Sequence, residues 1–178
     1  MILAEGERLR LRRATQNDVD FILELQHKPE NRPHIVPYER EKQKIALFDD
    51  GDTMNAVVEE KNTATAVGYV FISGLTNENN EVEWTHVVID KKGVGYGHET
   101  MQMLKAWSFG KKNFHRAWID CKIKNPRALH LYESEGMIRE GVMRESILYN
   151  GEYQDLAVLG MLKREYETRK AQGLELDC

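Results

Sequence analysis

The chain has 178 residues, 41% hydrophobic and 30% charged, with only four prolines. That is enough to bury one sizeable core, too little for a second full domain, and unlike a disordered or fibrous protein. A net charge of -4 argues against a nucleic-acid partner, which would require a concentrated basic face, and suits a cationic small substrate slightly better.

No stretch reaches the roughly 20 apolar residues of a membrane span, and Met1 to Glu5 has no basic region followed by an apolar run, so a cytoplasmic protein without a membrane partner is expected. Cys121 and Cys178 lie in no CxxC-type spacing, and the six histidines show no HxxxH-type pattern. Neither a disulfide framework nor a metal site is expected.

Arg8 to Arg12 alternates polar and apolar residues as an opening strand does. Thr15-Gln16-Asn17-Asp18 reads as a helix N-cap with an acid three residues on, predicting a first helix that runs to about His27 and stops before Pro29. Pro29, Pro33 and Pro37 punctuate a loop, after which Tyr38 to Phe48 is helix-like and closes at Asp49-Asp50-Gly51.

Met54 to Glu59, Val67 to Leu75 and Val82 to Ile89 are strand-like runs whose short polar connections predict an antiparallel meander. Apolar residues at helical spacing from about Gly97 to Gly110 precede a strand from His115 to Cys121, and that crossover implies a parallel pair. Asn125-Pro126 opens another helix, which Gly136 ends. Ile138 to Tyr149 and Glu152 to Leu162 flank Asn150-Gly151, a strong hairpin signal. Lys163 to Cys178 is charged and reads as a frayed helix or extension. The expectation is a mixed α/β fold in a single domain over residues 1–178, with its core at 8–166. A central sheet of about seven mostly antiparallel strands is flanked by about four helices.

The segment from Val87 through Asp90-Lys91-Lys92-Gly93-Val94-Gly95-Tyr96-Gly97-His98 is a strand feeding a glycine-rich turn that opens a helix. Such a turn lets backbone N–H groups approach an anion, and the helix N-terminus adds the positive end of its dipole, so a pyrophosphate is the natural occupant. An ordinary tight turn would look similar. A dinucleotide fingerprint starting at Gly93 would need a third glycine where His98 stands, although Asp120 lies where a ribose-binding acid is expected. The three antiparallel strands before the turn also fit that motif poorly.

Lys92-x-x-Gly95-x-Gly97 resembles the acetyl-CoA loop of the GNAT N-acetyltransferases, with Lys92 in the place of the usual arginine or glutamine. A second segment, from Asn125 through a helix carrying Tyr132 to Gly136-Met137, is similar to the later motif of that superfamily, with methionine for the usual phenylalanine. The hairpin at Asn150-Gly151 and the run Leu162 to Tyr166 resemble the branch containing spermidine and ribosomal-protein N-terminal acetyltransferases. The likeness spans Leu9 to Tyr166.

The resemblance implies a sheet splayed between its fourth and fifth strands, with acetyl-CoA in the opening as cosubstrate. Val87 and Val88 would offer backbone groups to the pantetheine arm, and one backbone N–H would polarise the acetyl carbonyl. Lys92, Gly93, Val94, Gly95, Tyr96, Gly97 and His98 would wrap the pyrophosphate, and Asn125 would meet the cofactor unless it only caps its helix. Tyr132 lies seven residues beyond Asn125 on nearly the same helical face and would be the general acid for the departing thiolate.

Glu83 is the candidate base, with Glu81 and His86 as alternatives. The acceptor would be a small amine such as a polyamine, or a peptide N-terminus, bound near Pro29 to Phe48 and Tyr149 to Tyr153, and attacked directly in a ternary complex. A homodimer with the Asn150 hairpin as a contact fits this branch. The competing readings are an acyl-CoA-binding sensor module without catalysis, and an NAD enzyme using the glycine turn and Asp120.

Overall fold

A computed structural model describes residues 1–35 and 51–176. The helix expected at Tyr38 to Phe48 and the terminal Cys178 lie outside these described residues. The strands are β1 (Ile2–Glu5), β2 (Leu9–Arg13), β3 (Thr53–Glu60), β4 (Ala66–Ser73), β5 (Glu81–Ile89), β6 (Arg116–Lys122), β7 (Ile138–Tyr149) and β8 (Glu152–Leu162). The α-helices are α1 (Val19–His27), α2 (Tyr96–Lys105), α3 (Pro126–Ser134) and α4 (Lys163–Ala171). Among the described residues no helix is long and apolar enough to cross a membrane.

The strands form one eight-stranded sheet in the order β1-β2-β3-β4-β5-β6-β8-β7, antiparallel at every step but β5 to β6. The strand beyond the expected seven is β1. Its four residues are too few to display an alternating pattern, and pairing with β2 holds it in place.

α2 and α3 cover one face of the sheet, where Met101, Leu104, Leu129 and Tyr132 share a core with Val82, Trp84, Ala117 and Ile119. α1 covers part of the other face with Val19, Ile22 and Leu25 against Val57, Tyr69, Phe71 and Val88. A 3₁₀ turn at Gln16–Asp18 precedes α1, and Asp18 accepts both the backbone N–H of Thr15 at 2.7 Å and its hydroxyl at 2.8 Å, as the capping signal anticipates.

Two irregularities position the site. Phe71 pairs with His86 but Ser73 with Glu83, so β5 carries one residue more than β4 across this step. The bulge reverses the alternation: Val82 and Trp84 face the α2 side, whereas Val88 joins the α1 core. The second irregularity is the parallel step. β5 and β6 pair only at Glu81–Arg116, Val82–Ala117 and Glu83–Trp118. Beyond that, β5 follows β4 as far as Ile89 and Gly68, while β6 follows β8 as far as Lys122 and Leu156, and the two strands part.

α2 starts at Tyr96, one residue before the expected Gly97, and after Lys105 it widens into a π-helical turn over Ala106–Lys111. The charged tail is a formed helix, α4, whose Tyr166 stacks on Phe109 with ring centroids 5.1 Å apart. Asn150 (φ +50°) and Gly151 (φ +80°) both adopt the left-handed conformation that a two-residue hairpin turn requires.

Candidate active site

The glycine turn ends β5 and begins α2. Gly93 (φ +83°) and Gly95 (φ +86°) take left-handed backbone angles that most side chains resist, and Gly95 is the N-cap of α2. A side chain at Gly93 would meet open space, so its conformation, not crowding, calls for glycine there. The first N–H groups of α2 have no intrahelical partners, which leaves donors and a positive dipole end for an anion.

The turn is braced from outside. Glu99 accepts the backbone N–H groups of Arg8 at 2.6 Å and Leu9 at 2.8 Å, the Arg8 guanidinium donates to the Val94 carbonyl at 2.9 Å, and Tyr96 donates its hydroxyl to Glu60 at 2.8 Å.

Where β5 and β6 part, a cleft of about 800 Å³ opens. Its walls include Glu83, Val87, Val88, Lys92, Gly93, Gly95, Gly97, His98, Asn125 and Tyr132. The side chains of Val94, which is exposed, and of Tyr96 are not part of the wall. Lys92 donates to Asn31 at 3.0 Å, and burial pushes its pKa down. His98 hydrogen-bonds through Nδ1 to Glu135 at 2.9 Å.

Asn125 caps α3 by accepting the Ala128 N–H at 3.2 Å, and it also lines the cleft. Tyr132 is 5% exposed, and no described residue hydrogen-bonds its hydroxyl. Burial first, then the nearby Cys121 and Asp120, pushes its phenol up, so it stays protonated. Burial likewise pushes the Cys121 thiol up to about 12, which makes it a poor nucleophile.

Of the three candidate bases, Glu81 is engaged by Arg116 at 2.8 Å. His86 is buried, shares a hydrogen bond of 3.1 Å with Tyr69 and is pushed down to about 4 by burial, which makes it too weak a base to accept a proton from an ammonium. Glu83 is held by the Ser73 hydroxyl at 3.1 Å, and its pKa is raised by burial and by the charge of Asp120. Asp120 lines the same cleft, with its pKa raised by burial.

Lys122 also lies in the wall. It donates to the Pro33 carbonyl at 2.7 Å, and its Nζ sits 4.2 Å from the centroid of the Tyr149 ring. Asp120 as an acceptor-side residue and Lys122 are absent from the sequence reading, since only the parting of β5 and β6 opens a space beside them, whereas Asn31 and His34 belong to the segment from Pro29 expected to border the acceptor.

A strand pair that opens beside a glycine-turned helix N-terminus, with a protonated phenol and half-buried carboxylates in the gap, is the arrangement that the resemblance to coenzyme-A-dependent acyltransferases implies. Comparison with known proteins agrees. Residues 8–138 match the acetyltransferase (GNAT) domain family, and the chain belongs to it. It is thus an acyltransferase with acetyl-CoA as cosubstrate.

The chain is 26% identical over 175 residues to spermidine N(1)-acetyltransferase of Vibrio cholerae, covering 92% of this chain and 98% of that protein. It is 24% identical over 170 residues to the uncharacterized N-acetyltransferase p20 of Bacillus licheniformis, covering 90% and 96%. Among solved structures, spermidine N-acetyltransferase from Vibrio cholerae in complex with CoA and spermine superimposes with a TM-score of 0.81 at 25% identity, covering 91% of this chain and 99% of that one.

Proposed function

We propose that this enzyme acetylates a primary amine of a polyamine-type cation by direct attack within a ternary complex. The observation that carries this reading is the pair of half-buried carboxylates, Glu83 and Asp120, in the gap between β5 and β6. They are suited to a cationic acceptor, and the relative solved with CoA and spermine has the same fold.

In the proposed reaction Glu83 takes a proton from the incoming ammonium, directly or through one water. The neutral nitrogen attacks the acetyl carbonyl carbon, and a backbone N–H of Val87 or Val88 donates to the oxygen as it gains charge. The carbon–sulfur bond then breaks, Tyr132 gives its proton to the sulfur, and the second proton that the acylated nitrogen sheds returns the phenolate to the phenol. A phenol with a raised pKa is a reluctant acid in water. The burial that raises it also raises the proton affinity of the thiolate leaving beside it. Gly93, Gly95 and Gly97, with the start of α2 and Lys92, would hold the pyrophosphate.

Thermal stabilisation by acetyl-CoA, CoA, NAD and ATP comes first, followed by acetyl transfer to an amine panel. Acetyl-CoA and CoA are expected to stabilise by about 2.7 kcal/mol at roughly 100 times their dissociation constants, and NAD not at all. Stabilisation by acetyl-CoA without transfer to any amine would replace this reading by that of a binding module.

A further inference from the structure

We propose that Asp120 anchors a second, non-reacting ammonium of the acceptor, so that the enzyme selects short diamines and polyamines over monoamines. This rests on the amine-transfer reading above and adds to it a residue and a selectivity.

The argument starts from register. Residues opposite each other in a parallel pair share a face, and the ion pair between Glu81 and Arg116 at 2.8 Å marks that face on the last paired stretch. Glu83, opposite Trp118, lies on the same face, and Asp120 follows Trp118 by one pleat. The two carboxylates therefore stand on neighbouring strands offset by about 6.6 Å along the strand direction, just where the strands separate. Together with the roughly 4.8 Å between neighbouring strands, that offset leaves room for the two nitrogens of a short diamine between the carboxylates. One nitrogen would present its proton to Glu83 while the other lies against Asp120.

Pairing points the same way. Several acids around this sheet are matched by cations, Glu59 by Arg10 and Arg12, Glu60 by Lys91, Glu81 by Arg116 and Asp90 by Lys28, while Glu83 is held by hydroxyls. Asp120 is half-buried and lines the cleft, yet among the described residues it has neither a hydrogen bond nor an ion pair. The nearest cation along its own strand, Lys122, is directed to the Pro33 carbonyl and the Tyr149 ring. A carboxylate withdrawn from water without a partner is costly, and a cation supplied by the ligand removes that cost.

The test measures kcat/KM for putrescine, spermidine and butylamine in the wild type, Asp120→Asn and Asp120→Glu, with KM for acetyl-CoA as a second reading. The wild type is expected to prefer putrescine over butylamine by about tenfold or more, a preference that Asp120→Asn abolishes and Asp120→Glu partly keeps. KM for acetyl-CoA should stay within about twofold, since Asp120 is placed on the acceptor and not on the cofactor, and the ratio of two amines on one variant is insensitive to a general loss of folded enzyme.

A wild type without diamine preference, or an Asp120→Asn enzyme that retains it, would overturn the proposal while amine transfer stands. Equal losses on both amines would overturn it too, because Asp120 would then act in the chemistry or the fold. Absence of transfer to any amine would instead overturn the underlying reading. Should Asp120→Asn fail to fold, the same ratio in Asp120→Glu and Asp120→Ser decides between these outcomes.

Discussion

Lys105 and Glu175 have no exposed side-chain surface and Glu135 has very little, yet each of these charges is met: Lys105 lies 2.9 Å from Glu135 and 2.6 Å from Glu175, and Arg169 lies 2.5 Å from Glu175. In the cleft, Glu83 has only hydroxyl partners and Asp120 has none among the described residues. The first region is a lock that ties the segment after α4 to α2 and to the end of α3. The second keeps ionisable groups short of partners, at a cost in stability, where a substrate can supply them. Buried charge alone does not mark a site; buried charge left for a ligand does.

The contrast is sharpest in variants that remove one group from each region. Tyr132 makes no side-chain hydrogen bond among the described residues, so Tyr132→Phe should leave the denaturation midpoint nearly unchanged. On the proposed role, kcat should fall by about 10²- to 10⁴-fold, the usual worth of a general acid. A kcat within about threefold of wild type would remove Tyr132 from the chemistry.

Lys105→Met should do the reverse. It removes the cation shared by Glu135 and Glu175 and leaves them, among the described residues, only Arg169 and His98 as ion-pair partners; breaking a buried pair typically costs up to about 3–5 kcal/mol, read as a lower urea midpoint. The kcat of the fraction that remains folded, at saturating substrates, should stay within a few-fold of wild type. A loss of kcat as large as that of Tyr132→Phe would show that the lock and the cleft are one unit.

The sequence exposes the parts of this site that rest on local chemistry. Gly93 and Gly95 need left-handed angles, Asn125 before a proline caps a helix, and Asn150-Gly151 makes a tight turn; each signal lies within a few residues of its effect. The splayed strands follow from the sequence only through the family resemblance, since no periodicity announces where a parallel pair ends. The β5 bulge, which reverses the alternation so that Val88 and not Val87 joins the α1 core, depends on the pairing of β5 with β4. Arg8, which braces the glycine turn, lies 91 residues from Glu99, and Gln102, which accepts the Leu176 N–H, lies 74 residues from it. Such partners are legible only after the chain has folded. In sequence Asp120 fits only the competing nucleotide reading, because its distance from the glycines is visible there and its shared face with Glu83 is not.

The smallest expected effect separates the two carboxylates from each other. A base must be ionised, so kcat/KM should fall as pH drops through the pKa of Glu83 in the free enzyme. That limb should lie above the usual carboxylate range, because burial and then the charge of Asp120 disfavour the ionised form. Asp120→Asn removes the negative charge but not the burial, so the limb should move to lower pH while remaining above the value of a solvated glutamate. Ser73→Ala removes a hydrogen bond that favours the ionised form, so its limb should move to higher pH. A profile of kcat/KM for butylamine follows these shifts without the second ammonium. If the two variants move the limb in opposite directions, the titrating group is Glu83 and Asp120 acts on it through charge. If neither does, the limb belongs to another group, and the base has to be sought elsewhere in the cleft.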